Sequence, residues 1–251
     1  MNRYYVIGDI HGNWRKLCLL LEDMTLDDHT YVIMCGDVGI LYGDNKYGEL
    51  LHKMKGFPCK FIVMRGNHDA RYWKAYRERG ESLEVVDMFG NQVAYQRKYP
   101  NVLYIKDEGG LYDLEDLGKC LFIPGAYSVD KWYRLRNGLP WEHDEQLTYK
   151  EMDAIVETAL SNRVDFVFSH TCPWSWTDQF SDLFLSGLDQ DSVDKTMEKW
   201  LEPVYDITKD KYKMWFFGHY HDDRAVKADN GDVVGIMLYN TWAELGGDVE
   251  R

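Results

Sequence analysis

Five short apolar runs in this 251-residue sequence each end in a small residue followed by Asp, Asn or His. Residues 4–7 lead into Gly8-Asp9-Ile10-His11, residues 31–35 into Gly36-Asp37, and residues 61–64, after Arg65, into Gly66-Asn67-His68-Asp69. Residues 166–168 lead into Ser169-His170, and residues 214–217 into Gly218-His219-Tyr220-His221. Asp9, His11, Asp37, Asn67, His170, His219 and His221 together offer seven oxygen or nitrogen donors and no thiolate. That set is too large for one tetrahedral zinc and suits two ions of intermediate hardness, such as manganese, iron or zinc. A central carboxylate can bridge two such ions at the roughly 3.5–4 Å separation of two-metal hydrolases. Glycine ahead of a donor lets the backbone turn sharply and come close to an ion or a phosphate without a Cβ clash. An isolated strand-end histidine is ordinarily a surface residue, but five of the eight histidines fall in these motifs. The other three, His29, His52 and His143, are assigned surface or structural roles.

The elements that must present these groups are legible in the same runs. Residues 4–7, 31–35, 61–64, 102–105, 120–123, 166–168, 214–217 and 233–238 have the β-branched and aromatic content of strands. Several are almost continuously apolar, as strands covered on both faces are. Helical spacing appears in Trp14, Leu17, Leu20, Leu21 and Met24, preceded by Asn13 as an N-cap. It recurs in Tyr149, Met152, Ile155, Val156 and Leu160, and in Val193, Met197, Trp200 and Leu201. Alternating strands and helices predict an α/β protein in which ligands gather beyond the carboxyl ends of the strands. The stretches 125–146 and 171–191 read as long loops, of the length that in a compact domain is functional or disordered.

Composition narrows the class. Hydrophobic residues make up 45% and charged residues 28%, and 10 Phe, 9 Trp and 18 Tyr supply ample apolar surface, so disorder is excluded as the main state. With no linker apparent, residues 1–251 are expected to form one domain. No apolar stretch approaches the roughly 18–20 residues needed to cross a bilayer. The N-terminal residues lack the basic and apolar regions of a signal peptide, so a cytoplasmic protein is expected. Five cysteines, without a CxxC pair and mostly inside apolar runs, read as buried thiols. The formal net charge of −13 disfavours nucleic acid as a partner but leaves small phosphorylated substrates open, because bound cations supply positive charge locally.

The ordered motifs resemble those of the calcineurin-like metallophosphoesterase superfamily: DxH, GD, GNH followed by an acid, a lone His, and GHxH. Here they read Asp9-Ile10-His11, Gly36-Asp37, Gly66-Asn67-His68-Asp69, His170 and Gly218-His219-Tyr220-His221. The resemblance implies a four-layer α/β/β/α sandwich around two facing sheets. It implies that Asp9, His11 and His221 hold a first metal, that Asn67, His170 and His219 hold a second, and that Asp37 bridges them. His68 would stand by the leaving-group oxygen as a proton donor or transition-state stabiliser. One departure bears on substrate. The Ser/Thr protein phosphatase branch carries GDxxDRG, in which the later Asp orients the catalytic His and the Arg grips phosphate. This chain has Ile40 and Leu41 at those places. A protein phosphatase is therefore disfavoured, and the partner that orients His68 must come from elsewhere.

The implied reaction is hydrolysis of phosphomonoesters or phosphodiesters by a water whose pKa the cations lower. Asp37 and His68 are the catalytic candidates, and Asn67, His68, Lys131 and Arg134 the substrate-binding ones. Arg136, Arg65 and Arg71 are further candidates for gripping phosphate. Trp132, Tyr133, Trp174 and Trp176 are available to stack on a ring or to pack the loops. Two other readings stand beside this one. A nuclease or nucleic-acid end-processing phosphatase is favoured by the aromatics and disfavoured by the charge. A non-catalytic metal-binding scaffold is disfavoured because all seven donors and His68 are intact. The sequence leaves the oligomeric state, the native substrate and the metal identity open.

Overall fold

A computed structural model describes residues 1–41, 47–184 and 192–246. The first half of the chain supplies strands β1 (Arg3–Ile7), β2 (Thr30–Cys35), β3 (Lys60–Met64), β4 (Glu84–Met88), β5 (Asn91–Gln96) and β6 (Tyr99–Tyr104). There follow β7 (Gly110–Leu114), β8 (Gly118–Ile123), β9 (Phe166–Ser169), β10 (Met214–Phe217), β11 (Arg224–Lys227), β12 (Val233–Met237) and β13 (Trp242–Leu245). The helices are α1 (Trp14–Leu21), α2 (Tyr47–Lys55), α3 (Tyr72–Glu78), α4 (Lys131–Arg136), α5 (Tyr149–Ser161) and α6 (Thr196–Thr208). A 3₁₀ segment spans Trp174–Leu183.

The strands form two sheets, ordered β13-β1-β2-β3-β6-β5-β4 and β11-β12-β10-β9-β8-β7. Their centres are parallel, β1-β2-β3-β6 in one and β12-β10-β9-β8 in the other. Antiparallel strands close the edges, for example β13 on β1 and β7 on β8. Alternation of side chains explains why the central strands are apolar throughout. In β1, Tyr5 and Ile7 face α1 and α2, whereas Tyr4 and Val6 face the second sheet. In β10, Phe216 joins that central core while Trp215 and Phe217 pack with Met152, Ile155 and Leu201 of α5 and α6. Between the sheets Phe122, Phe168 and Phe216 stack with ring centroids 5.0 and 5.8 Å apart. Three cores therefore separate four layers, α/β/β/α.

All eight strands read from the apolar runs are present. The five that escaped, β4, β5, β7, β11 and β13, are antiparallel strands at or near the sheet edges. β4, for instance, is nowhere fully buried and so lacks a solid apolar run. Asn13 caps α1, its side chain accepting from the backbone N–H of Arg15 and Lys16 at 3.2 Å each. The stripe on α5 is narrower than its spacing suggests, because Tyr149 and Leu160 are exposed and Met152 and Ile155 carry the contact. Neither long loop is wholly irregular: α4 lies within 125–146 and the 3₁₀ segment within 171–191, of which 185–191 lie outside the described residues. All five cysteines are free thiols, four of them buried. His29, His52 and His143 are exposed. No described helix is long and apolar enough to cross a membrane.

Candidate metal centre

The parallel strands of both sheets end at one place. Asp9 and His11 follow β1, Asp37 follows β2, Asn67 and His68 follow β3, His170 follows β9, and His219 and His221 follow β10. The backbone there is held in an uncommon conformation. Seven described non-glycine residues have positive φ, and four of them are His11 (50°), Asp37 (46°), His219 (70°) and His221 (56°). Such residues persist only where surrounding structure over-determines them, and they gather at functional sites. The neighbouring glycines are required chiefly by close approach. A Cβ on Gly218 would stand 2.2 Å from Asp9 Oδ1, and one on Gly66 2.1 Å from Asp37 Oδ1. Gly36 combines both needs, with φ of 93° and the His170 ring 2.3 Å from where its Cβ would lie.

The donors form two groups that share one carboxylate. In the first, donor atoms of Asp9, His11, Asp37 and His221 lie within 4.8 Å of one another, close enough to surround one ion. His221 Nε2 is 3.2 Å from Asp9 Oδ2 and 2.9 Å from His11 Nε2. His11 Nε2 is 3.7 Å from Asp37 Oδ2. In the second group, Asn67 Oδ1 is 2.8 Å from His170 Nε2 and 3.0 Å from His219 Nδ1. Asp37 Oδ1 is 3.3 Å from His170 Nε2. The two oxygens of Asp37 thus face opposite groups. Mixed carboxylate, amide and imidazole donors without thiolate fit manganese, iron or zinc.

Outer contacts fix how these donors point. His170 Nδ1 is 2.8 Å from the Cys35 carbonyl oxygen, so that nitrogen carries a proton and Nε2 faces the donor cluster. The backbone N–H of His219 donates to both oxygens of Asp9 at 3.1 Å. Asn67 Nδ2 donates to Ser128 Oγ at 2.9 Å, leaving its Oδ1 toward the histidines. Asp69 ties two loops together: it accepts from the N–H of Val38 (3.0 Å), Gly39 (2.7 Å) and Gly66 (2.9 Å). Ile40 and Leu41, at the positions where the protein phosphatases carry Asp and Arg, are buried in the core between sheet and helices.

Electrostatics follow from burying so many titratable groups together. Burial opposes ionisation of Asp37, but His170, with His68 and His11, holds its pKa well below the usual carboxylate range. Burial alone would lower the His170 pKa, yet Asp37, Asp9 and the Cys35 carbonyl outweigh it and push it up to about 9. His219 and His11 are lowered, in both cases chiefly by burial. Burial and the Asp37 charge raise Asp69 to about 7, against the pull of its three N–H donors.

His68 lies at the edge of this cluster. Its backbone N–H donates to Asp37 Oδ1 at 2.7 Å, and its ring is 5.6 Å from that of His11. Asp130 Oδ1 is 4.0 Å from His68 Nε2, and Asp130 is itself gripped by Arg134 Nε at 2.6 Å. Asp130, on the loop after β8, thus brings a carboxylate near the His68 ring, beyond hydrogen-bond distance. Burial lowers the His68 pKa, with Asp37 and Asp130 pulling it up and Arg134 down.

A cleft of about 400 Å³ opens at the cluster, and Asp37, Asn67, His68, His219 and His221 are among its lining residues. Tyr127, Val129, Trp174 and Tyr220 also line it, with Lys195, whose ammonium sits 4.8 Å from the Trp174 ring centroid. The basic residues expected to meet phosphate are placed otherwise. Neither Lys131 nor Arg134 is among the residues lining this cleft. Lys131 lies 4.2 Å over the Trp141 ring. Arg65 is buried and donates to the carbonyls of Asp107 and Glu145. Arg71 binds Glu151 and the carbonyls of Asp144 and Gln146. Arg136 is exposed, as are Trp132 and Tyr133, and Trp176 is buried among the core aromatics. Sequence reasoning did not single out Ser128, Asp130, Glu145 or Lys195, although three of them fall in the loop it read as functional or disordered.

The calcineurin-like phosphoesterase family model matches residues 3–223, and the chain belongs to that family. Among solved structures it is similar to the phosphopantetheinyl hydrolase of Mycobacterium tuberculosis, with a TM-score of 0.54 and 13% identity. That alignment covers 100% of this chain and 98% of the other. A putative 5'-nucleotidase of Staphylococcus aureus aligns at 13% identity and a TM-score of 0.43, covering 96% of this chain and 50% of that one. A cold-active protein-tyrosine phosphatase of a Shewanella species aligns at 14% identity and a TM-score of 0.36, covering 96% and 71%. At 13% identity the likeness to the phosphopantetheinyl hydrolase speaks to the fold alone. No curated protein matches the chain in sequence.

Proposed function

We propose that this family member is a dinuclear-metal-dependent phosphoesterase acting on small phosphorylated molecules. One observation carries the reading: the Asp37 carboxylate turns one oxygen to each of two donor groups. Asp9, His11 and His221 would hold one ion and Asn67, His170 and His219 the other, with Asp37 shared. Bound cations supply Lewis acidity, lowering the pKa of a water and neutralising phosphoryl oxygens. The chain's own groups do the rest. His68 lines the cleft beside the donors, where its imidazole can hydrogen-bond a phosphoryl or leaving-group oxygen. A phosphate bound next to it adds negative charge, which raises its proton affinity and loads it to act as an acid. Asp130 steadies the positive ring.

The cleft supports a small substrate. Its volume lies in the range of small-molecule pockets, and its lining includes Tyr127, Trp174, Phe184 and Tyr220, with one lysine and the acids Asp130, Asp194 and Glu198. That lining suits an organic leaving group better than a polynucleotide track, which needs a basic groove. Turnover of aryl monoesters, aryl diesters, nucleotides and oligonucleotides by manganese-loaded protein tests the proposal. Hydrolysis of small esters, lost on chelation and restored by metal, is the expected result. Metal-loaded protein that turns over none of them would return the chain to a scaffold role.

A further inference from the structure

Asn67 differs from the other donors of the second group in having a wrong face. A carboxylate offers an acceptor on either oxygen, and an imidazole whose second nitrogen is engaged offers a defined lone pair. A primary amide presents oxygen one way and NH₂ the other, and only the oxygen can bind a cation. Turning the Asn67 amide over would aim two N–H donors at the place where the second ion belongs.

The structure shows what prevents this. Asn67 Nδ2 is 2.9 Å from Ser128 Oγ, and Ser128 Oγ is 2.5 Å from Glu145 Oε2. Glu145 is an acceptor for two further, unambiguous donors, the Ser128 N–H at 3.0 Å on Oε1 and the Trp141 indole N–H at 2.9 Å on Oε2. A serine hydroxyl has one proton. With that proton given to Glu145, Ser128 Oγ can only accept, and the group it accepts from must be an N–H. The direction of hydrogen bonding is therefore set at Glu145 and passed through Ser128 to the Asn67 amide. Asn67, Ser128 and Glu145 are each at most 2% exposed, so water cannot take over any of these roles. The Arg65 guanidinium, bound to the Glu145 carbonyl at 2.6 Å, pins that loop to the end of β3.

We infer that Ser128 and Glu145 are positioning residues that hold the Asn67 amide oxygen toward the second ion and so set the affinity of that site alone. The inference rests on the reading of Asn67 as a ligand given above. Outer contacts of this kind change metal affinity by about 10–100-fold when removed. Ser128→Ala frees the amide to turn. Glu145→Gln can invert the chain, because a glutamine NH₂ donating to Ser128 lets Ser128 donate to Asn67 and draws the amide oxygen outward.

Calorimetric titration of metal-free protein with Mn²⁺, with circular dichroism as a folding check, tests this. Wild type should take up two ions. Ser128→Ala and Glu145→Gln should each weaken one site by about tenfold or more and leave the other within about threefold. The decisive comparison is the Asn67→Asp background, where both faces are oxygen and orientation is irrelevant. Adding Ser128→Ala there should change neither site by more than about threefold. Equal weakening of both sites, no weakening, or the same loss in the Asn67→Asp background overturns the inference and leaves the dinuclear proposal standing. A folded wild-type chain that binds only one ion instead overturns the dinuclear reading, and this inference with it.

Discussion

Replacing Asp69 should loosen the whole centre without touching a metal donor. Its carboxylate accepts three backbone N–H groups, two from the loop after β2 and one from the loop after β3. It is 1% exposed, so after Asp69→Ala water has poor access to the three donors. Hydrogen bonds to a charged group are worth about 1.5–3 kcal/mol each, which for three bonds is roughly 4–9 kcal/mol. Part of that is already offset, because burial and the Asp37 charge raise the carboxyl pKa to about 7. A net loss of about 2–4 kcal/mol follows, at the upper end of the range for single substitutions. Asp69→Asn should lose nearly as much, since its NH₂ must confront one of the N–H donors. Urea denaturation of metal-free protein reads the change directly. The loss should be accompanied by weaker binding of both ions, because the loops carrying Asp37 and Asn67 lose their common anchor. A change under about 0.5 kcal/mol with unaltered metal affinity would show that the loops hold their positions without Asp69.

Other outcomes follow from the same geometry. Asp37→Asn should fail to retain two ions on dialysis, as metal analysis would show, and a fully loaded variant contradicts the shared-carboxylate reading. His68→Ala should keep both ions while kcat on aryl phosphates falls by about 10²–10⁴-fold, and unchanged turnover removes His68 from the chemistry. In metal-free protein the His170 pKa of about 9 lies above its ordinary value, so its proton stabilises the fold below the unfolded pKa. That contribution is lost as pH rises through the folded pKa. Metal must displace the same proton, so calorimetry at neutral pH in buffers of different ionisation enthalpy should register proton release of about one. Affinity of the second site should then climb by about tenfold per pH unit and level off near the folded pKa, and a pH-independent affinity contradicts this.

The strands that carry the donors were the most legible part of the molecule. β1, β2, β3, β9 and β10 are covered on both faces, so burial writes itself into the sequence as unbroken apolar runs, and a polar residue straight after such a run stands out. β11 and β13 carry polar residues in four-residue edge strands, and their apolar content is too sparse to register. The donors were legible for the same reason as their strands. Their support was not. Ser128, Asp130 and Glu145 act through hydrogen-bond direction and burial, and a Ser, Asp or Glu in a loop rich in such residues carries no mark of either. The basic residues show the converse. Arg65 and Arg71 sit beside the GNHD motif in sequence, but backbone carbonyls and Glu151 attract their guanidinium groups away from the cleft.

Anomalous diffraction from crystals soaked in Mn²⁺ addresses the shared role of Asp37 most directly. Two peaks are expected about 3.5–4 Å apart, one beside Asp9, His11 and His221 and the other beside Asn67, His170 and His219, each within bonding distance of a different Asp37 oxygen. A single peak, or two peaks of which only one touches Asp37, would contradict the account.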